Sequence, residues 1–285
     1  MEFITFSQVL VNGLMISLTY ILVASGLTLT YSIMRLLNFA HGEIYMIGAF
    51  IVYYLFDRLG LNFFVAMIIA ALICGLLGVI IERAFFRPLL GQIIPQMVIA
   101  LGISMGLGGA ALIIFGEKER GMRHVFHGVL HVFNVAISME RLAVIIISAL
   151  LLIGLYLFIG RTKLGFAMRA VAQDSQAARL QGISISRTSM ACFGLSCALA
   201  GIAGAILAPL FFIDPFMGGD IFLTSVIVIL LGGLGSIPGA AAGGLVLGFV
   251  NSFGHTYIGT AAELIGFVLI YFILLFRPQG LLGHE

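Results

Sequence analysis

The chain has 285 residues, of which 61% are hydrophobic and only 9% are charged. A soluble domain would carry about three times that charged fraction, so the composition excludes a soluble protein and predicts an all-α polytopic membrane protein. The formal net charge of +2 excludes nothing by itself. The length leaves no room for a large soluble domain beside the spans, so we interpret residues 1–285 as a single transmembrane domain.

Segments long enough to cross a membrane follow one another along the chain, since a spanning helix needs about twenty apolar residues. The first segment lacks the positive start of a signal peptide and is too long for one, so we expect it to remain as a span. Residues 232–240 (G-G-L-G-S-I-P-G-A) interrupt the longest segment, because Pro238 and its glycine neighbours cannot continue a regular helix. The sequence predicts about nine transmembrane helices, with eight and ten left open: 3–34, 36–56, 59–81, 88–116, 142–160, 188–213, two within 221–262, and 256–276.

Small residues within these segments indicate close helix packing. Residues four apart let two backbones approach each other in a bilayer. Three such groups predict packing faces: Gly102 with Gly106, Gly244 with Gly248, and Ser196 with Ala200 and Gly204. The cysteines form no C-x-x-C pair, so we interpret all three as small buried hydrophobic residues: Cys74, Cys192 and Cys197.

Two long polar loops set the expected orientation. Loop 161–187 is basic, with a single acid at Asp174, whereas loop 117–141 carries both signs of charge. Placing loop 161–187 in the cytoplasm and alternating outwards puts nine of the 14 Lys and Arg residues inside, as the positive-inside rule requires. We therefore expect an N-terminus outside, a cytoplasmic C-terminus, an external loop 117–141 and a location in the bacterial inner membrane.

The basic loop contains a predicted short helix. Residues 166–180 include neither Gly nor Pro and are rich in good helix formers. Gly165 precedes this run, and Gly182 follows it as the expected C-terminal cap with positive φ. Phe166, Ala170 and Ala177 recur at helical spacing and are expected to form an apolar contact face.

The sequence has no energy source of its own. Neither lysine lies in a G-x-x-x-x-G-K-[ST] motif, so we expect no bound ATP and no other cofactor on this chain. Intramembrane ionisable residues carry protons in many secondary transporters. His255 and Glu263 are expected near the outer face, where interfacial solvation explains them. His41 and Glu43 are predicted at the inner start of the second span, where a solvated or Arg35-paired helix start explains them about as well as a transport pathway does.

The sequence does not favour an enzyme. It contains no G-x-S-x-G motif, no zinc-type histidine spacing on a helix and no paired intramembrane aspartates. His124, His127 and His131 lie in the predicted external loop, where solvation is favoured over a metal site. The remaining alternatives are a transport subunit driven by partner ATPases and a stand-alone proton-coupled carrier that uses Glu43.

Two sets of motifs favour the first alternative. Gln176-Ala177-Ala178-x-x-x-Gly182 is similar to the E-A-A-x-x-x-G coupling signature of ABC importer permeases, with Gln in place of Glu and without the usual downstream I-x-L-P. The chain also carries N-F-A-H-G-E at 38–43, G-x-A-x-R-A at 165–170 followed by Asp174, and L-G-G-L-G-S-I-P-G-A at 231–240. Together with the closing R-P-x-G at 277–280, they make the whole chain resemble the LivH-type permease of branched-chain amino-acid ABC importers.

The resemblance implies an assembly and a set of site residues. The implied partners are a LivM-like second permease, two cytoplasmic ATPases that bind ATP and Mg, and an external solute-binding protein. Relatives also serve urea, short amides and other amino acids. The residues implied in coupling to the ATPases are Gly165, Phe166, Arg169, Ala170, Asp174, Ala177, Ala178 and Gly182. Candidate pathway or structural residues are Asn38, His41, Glu43, Gly235, Ser236 and Pro238.

Overall fold

The computed structural model of the chain describes residues 2–132, 135–259 and 262–283. Within these residues the chain forms eleven α-helices and one antiparallel β-hairpin. The helices are α1 (Glu2–Met34), α2 (His41–Val52), α3 (Phe63–Ile81), α4 (Ile93–Phe115), α5 (Met139–Arg161), α6 (Lys163–Gln173), α7 (Ser175–Leu180), α8 (Ile185–Leu207), α9 (Met217–Gly232), α10 (Ile237–Tyr257) and α11 (Ala262–Phe276). The hairpin pairs β1 (Val129–Val132) with β2 (Val135–Ser138).

The helices account for the predicted membrane segments in order. Six helical segments of the described chain are long and apolar enough to cross a bilayer by themselves: Thr5–Met34, Phe63–Leu89, Ile93–Phe115, Met139–Arg161, Ile185–Leu207 and Ile237–Tyr257. Helices α2, α9 and α11 are shorter, so the number of nine crossings stays a prediction. The polytopic helical fold agrees with the sequence, and the hairpin between α4 and α5 is its one β-sheet in the described residues.

Glycines bring the central helices into close contact. A Cβ atom added at Gly248 would lie 2.5 Å from Cα of Ser17 on α1, and one at Gly204 would lie 2.0 Å from the carbonyl oxygen of Tyr45 on α2. Two of the three predicted small-residue faces therefore pack as expected. The prediction of a packing face at Gly102 and Gly106 is wrong within this chain, because no atom of the described chain lies within 4 Å of a Cβ added at either position.

The cysteines are confirmed as small buried residues. All three are free and buried between helices α1, α2, α3 and α8: Cys74, Cys192 and Cys197. The thiol of Cys192 donates to the carbonyl oxygen of Leu29 at 3.2 Å. This contact adds a hydrogen bond to the packing of α8 against α1.

The second predicted span departs from the sequence analysis. Residues 35–40 are not helical, and α2 begins only at His41. The ring Nε2 of His41 lies 3.0 Å from the carbonyl oxygen of Val23, which is about 16 Å along α1 from Met34. Leu36 and Ala40 are buried. The chain therefore returns into the helical bundle as buried, non-helical backbone before α2 starts.

Loop 117–141 is folded against neighbouring elements. Backbone hydrogen bonds of 2.9 Å join Arg120 and Ile213 in both directions, and the guanidinium of Arg123 lies 3.7 Å from the carboxylate of Asp57. The loop's three histidines are exposed, as expected for solvated side chains. His124 also binds Glu140, with 2.6 Å between Nδ1 and Oε2. No group of three His, Cys, Asp or Glu side chains in the described chain is placed to hold a metal.

The outer-face interpretation of His255 and Glu263 is tested only in part. His255 is exposed at the end of α10, which fits interfacial solvation. The side chain of Glu263 falls outside the part of the chain that the structure describes.

The orientation can be tested with single cysteines. Glu119→Cys and Gln173→Cys place thiols at exposed positions in loop 117–141 and at the end of α6. We expect an impermeant maleimide added to spheroplasts to label Glu119→Cys only, and to label Gln173→Cys after the membrane is opened. The unsubstituted protein is the control, because its three thiols are buried. If only Gln173→Cys were labelled in sealed spheroplasts, the predicted orientation would be wrong and the opposite one would hold.

Candidate functional site

The predicted single helix 166–180 was wrong, because the loop folds as two helices that meet at Asp174. The backbone of Asp174 is extended, and its Oδ1 accepts hydrogen bonds from the backbone N–H groups of Gln176 at 2.8 Å and Ala177 at 3.0 Å. Asp prefers such an N-cap position to a helix interior, since its short carboxylate satisfies free N–H groups of the first turn. This capping bond starts α7 and separates it from α6.

Gly165 lies inside α6, whereas the sequence placed it before the helix. Thr162 caps this helix by accepting from the N–H of Gly165 at 3.0 Å. A Cβ at Gly165 would lie 2.5 Å from Cα of Ile159, so only glycine allows α6 to press on the last turn of α5. Met168 and Val171 are buried on the same side of α6. The helix is therefore tied closely to the end of a membrane span.

Gly182 ends α7 as the sequence predicted. Its φ is +82°. Its N–H donates to the carbonyl of Arg179 at 3.0 Å, and the N–H of Ile183 donates to that of Ala178 at 3.0 Å. These two bonds form the cap in which glycine supplies the left-handed residue. The turn leads within three residues to α8.

The solvent-accessible side of α6 and α7, hereafter the exposed face, is formed by Phe166, Arg169, Ala177 and Leu180. Phe166 is 53% and Leu180 87% exposed, and the guanidinium of Arg169 lies 4.7 Å from the centre of the Phe166 ring. Ala170 is partly exposed beside them, whereas Ala178 is buried. The predicted apolar contact face is thus available for a partner. The sequence analysis did not include Leu180 in the apolar contact face. The signal that could have identified it is a leucine two residues before the glycine that caps the helix.

Asn38 and His41 fasten the start of α2 inside the bundle. The Oδ1 of Asn38 accepts from the N–H of Ala40 at 3.2 Å, and its carbonyl accepts from the N–H of His41 at 3.1 Å. Both side chains are fully buried. The interpretation of His41 as part of a solvated or Arg35-paired helix start was therefore wrong. Among the described residues, Nδ2 of Asn38 and Nδ1 of His41 have no hydrogen-bond partner.

Glu43 lies in the first turn of α2 and faces α4 and α9. Ser104 donates to its Oε1 at 3.4 Å, and its buried Oε2 has no partner in the described chain. A Cβ at Gly218 would lie 2.7 Å from Oε2, so glycine makes room for the carboxylate. The ion pairs of the described residues lie elsewhere, which excludes pairing with Arg35 here. A carboxylate without a cation thus lies between three helices.

The G-G-L-G-S-I-P-G-A sequence forms a tight turn between α9 and α10. Gly235 has a φ of +81°. Ser236 caps α10 by accepting from the N–H of Gly239 at 3.0 Å, and Pro238 occupies the first turn, where its missing N–H costs nothing. Ser32 at the end of α1 donates to the carbonyl of Gly235 at 2.9 Å. The tight-turn interpretation is favoured over a cavity lining.

The closing R-P-x-G motif packs on this turn, a contact that sequence reasoning missed. The N–H groups of Leu281 and Leu282 donate to the carbonyls of Leu231 and Gly232, each at 2.9 Å. A Cβ at Gly280 would lie 2.5 Å from the backbone nitrogen of Gly233. The two motifs therefore form one structural unit at the end of α9.

Comparison with known proteins agrees with this arrangement. The sequence profile of the family described as "Branched-chain amino acid transport system / permease component" matches residues 9–276. The chain is 37% identical to the high-affinity branched-chain amino acid transport system permease protein BraD of Pseudomonas aeruginosa, over 99% of this chain and 97% of that protein. It is 31% identical to the permease protein LivH of Escherichia coli K12, also over 99% of this chain and 97% of that protein.

A more distant similarity involves the other permease of such systems. The chain is 26% identical to the permease protein LivM of Escherichia coli K12, over 94% of this chain and 68% of that protein. No solved structure matches the chain. The resemblance read from the motifs is confirmed by the full-length matches. The chain belongs to the family of branched-chain amino acid transport system permease components.

Proposed function

We propose that this chain is the membrane-spanning subunit of an ABC importer that moves branched-chain (Leu, Ile, Val) or related amino acids inwards. Transport proceeds by alternating access driven by partner ATPases, and the chain itself holds no nucleotide. The observation that carries this proposal is the exposed face. Its side chains are uncovered, whereas the helices that carry it, α6 and α7, are attached closely to the membrane helices α5 and α8. Family membership and the substrate named for BraD and LivH support it.

The proposed force path runs from the exposed face into two spans. Gly165 holds α6 against α5, and the short turn at Gly182 leads directly from α7 into α8. Helix α8 packs in turn on α1, α2 and α3. A displacement of the exposed face is therefore transmitted to the centre of the bundle, since close-packed helices move as units.

The exposed face supports the ATPases among the proposed partners, and the remaining partners are those that the family resemblance implies. Phe166 and Leu180 supply apolar contact area for a groove of an ATPase, and Arg169 supplies a cation for an acidic group at its edge. Two ATPases that bind ATP and Mg, a LivM-like second permease and an external solute-binding protein complete the proposed assembly. We expect the solute-binding protein to dock on the external side of the membrane, where loop 117–141 is predicted to lie.

The close contact at Gly165 allows a matched test of this path. Gly165→Ala adds a methyl group against Ile159 and should displace α6 at a cost of about 1–3 kcal/mol, whereas Gly160→Ala adds one where no described atom lies within 4 Å. We expect Gly165→Ala to reduce leucine uptake about fivefold or more, as that cost implies, and to lower retention of the ATPases on the affinity-tagged chain, with normal membrane abundance. Gly160→Ala should behave as wild type. Equal uptake in both variants would contradict the coupling role.

The Gly182 turn provides an independent test. Space is not limiting there, because no described atom lies within 4 Å of an added Cβ. Gly182→Val must therefore act through the left-handed backbone, at about 1–2 kcal/mol, a conformation that asparagine tolerates better. We expect Gly182→Val to uncouple ATP hydrolysis from uptake in the reconstituted assembly and Gly182→Asn to retain most coupling. Identical behaviour of the two variants would show that the turn conformation is not needed.

Glu43 distinguishes this proposal from a proton-coupled carrier. Gln keeps the oxygen that accepts from Ser104 but cannot carry a proton. We expect Glu43→Gln to retain uptake and a protonophore to leave uptake unchanged while ATP is supplied. Uptake in proteoliposomes that contain only this chain, and its loss in Glu43→Gln, would favour the carrier.

A further inference from the structure

A polar cavity lies where the exposed face joins the membrane domain. A cavity of about 680 Å³ opens between the end of α1, the start of α4, helix α7 and the start of α8. Arg35 and Arg179 are the charged residues of its lining, which contains no acidic side chain in the described chain. The site is separate from Glu43 and from the turn at residues 232–240.

The two arginines of this cavity have spare hydrogen-bonding capacity. Arg35 reaches the carbonyl oxygen of Ala172 at 3.5 Å, the limit of a hydrogen bond. Neither Arg35 nor Arg179 takes part in the ion pairs found in the described residues. Arg35 is also the non-glycine residue of positive φ in the described chain, at +53°. Such backbone strain persists where the surrounding structure enforces it, and functional sites are common among such places.

Buried hydroxyl groups point to a ligand that accepts hydrogen bonds. Ser189 is 1% exposed and lines the cavity, and its Oγ has no partner in the described chain. The Oγ of Ser186, also in the lining, is likewise buried without a partner. A buried hydroxyl left without a hydrogen bond is unfavourable, so an oxygen-rich group in the cavity would stabilise both. Guanidinium and hydroxyl donors together match the oxygens of a phosphate.

The apolar part of the lining indicates where that phosphate comes from. Ile33, Ile183 and Ile185 line the cavity beside Leu90 and Ile93, which are 37% and 54% exposed at the start of α4. Helix α4 is largely uncovered within this chain, so the acyl chains of a lipid can lie along it beside the cavity. The cavity lies at the end of the spans that the positive-inside rule assigns to the cytoplasm, which is the side where anionic lipid headgroups are expected.

We propose that this cavity binds the phosphate headgroup of an anionic phospholipid from the cytoplasmic leaflet. Basic pockets between helices on this side of a membrane suit such headgroups. Arg35 and Arg179 bind the phosphate, Ser186 and Ser189 donate to its oxygens, and the acyl chains lie along α4. Since Arg179 is on α7, the lipid connects the exposed face to α1 and α8. The effect on coupling rests on the proposed function, whereas the binding does not.

Binding is measured on the purified full-length chain alone, so its result is independent of the ATPases. The chain in nanodiscs of phosphatidylcholine is titrated with spin-labelled phosphatidylglycerol, and the immobilised fraction is followed. The variants are Arg35→Gln with Arg179→Gln, Ser189→Ala, and the control Arg277→Gln, an exposed arginine that does not line the cavity. We expect the double variant to bind at least about tenfold more weakly, Ser189→Ala to show a smaller loss, and Arg277→Gln to match wild type.

Three outcomes would overturn the proposal. Equal retention of phosphatidylglycerol by wild type and the double variant would exclude the cavity as its site. Equal binding of spin-labelled phosphatidylcholine would exclude recognition of an anionic lipid. Displacement of the label by millimolar inorganic phosphate would assign the cavity to a free anion and overturn the lipid assignment. Should the double variant not assemble, as judged by gel filtration, the same comparison between Ser189→Ala and wild type decides the question.

Discussion

The structure depends on one constraint, that backbone N–H and C=O groups inside a bilayer must find partners within the protein. Long apolar helices satisfy this constraint by themselves. Residues 36–40 do not, because they are non-helical, and Leu36, Asn38 and Ala40 among them are buried in the bundle. Asn38 supplies a side-chain acceptor there, and His41 binds α1. The N-F-A-H-G-E motif is thus explained as the means by which an interrupted span is kept inside the protein.

Close approach of helices is the second determinant, and glycine provides it. Lipid tails are as apolar as the side chains, so association in a bilayer relies on packing and hydrogen bonds. Gly42 faces the backbone of Gly218, and Gly48 faces that of Gly201, at distances that leave no room for a Cβ. Ser196 donates from α8 to the carbonyl of Gly26 on α1 at 2.6 Å. These contacts give the bundle a rigid centre on which α6 and α7 can act.

The proposed sites lie where this rigid packing ends. The exposed face leaves Phe166 and Leu180 uncovered within this chain, where a partner can bury them. The proposed lipid cavity borders it through Arg179, and the C-terminal segment stabilises the neighbouring turn at Gly233. The proposed contacts with an ATPase and with a lipid would therefore lie on one side of the membrane domain.

Composition and motif order by themselves determined the polytopic helical class, the family and the breaks at Gly182 and Pro238, because these depend on local hydropathy and on backbone preferences of single residues. Predictions from local sequence were wrong or incomplete where a contact with another element decides the conformation or the burial of a residue. The split at Asp174 was readable as a cap, but the close contact of Gly165 with α5 was not. The burial of His41, the carboxylate of Glu43 between three helices, and the pairing of residues 281–282 with the end of α9 were likewise decided by tertiary structure. Apart from the contact of Gly165 with nearby Ile159, each of them joins residues far apart in the chain, and a single sequence carries no measure of that proximity.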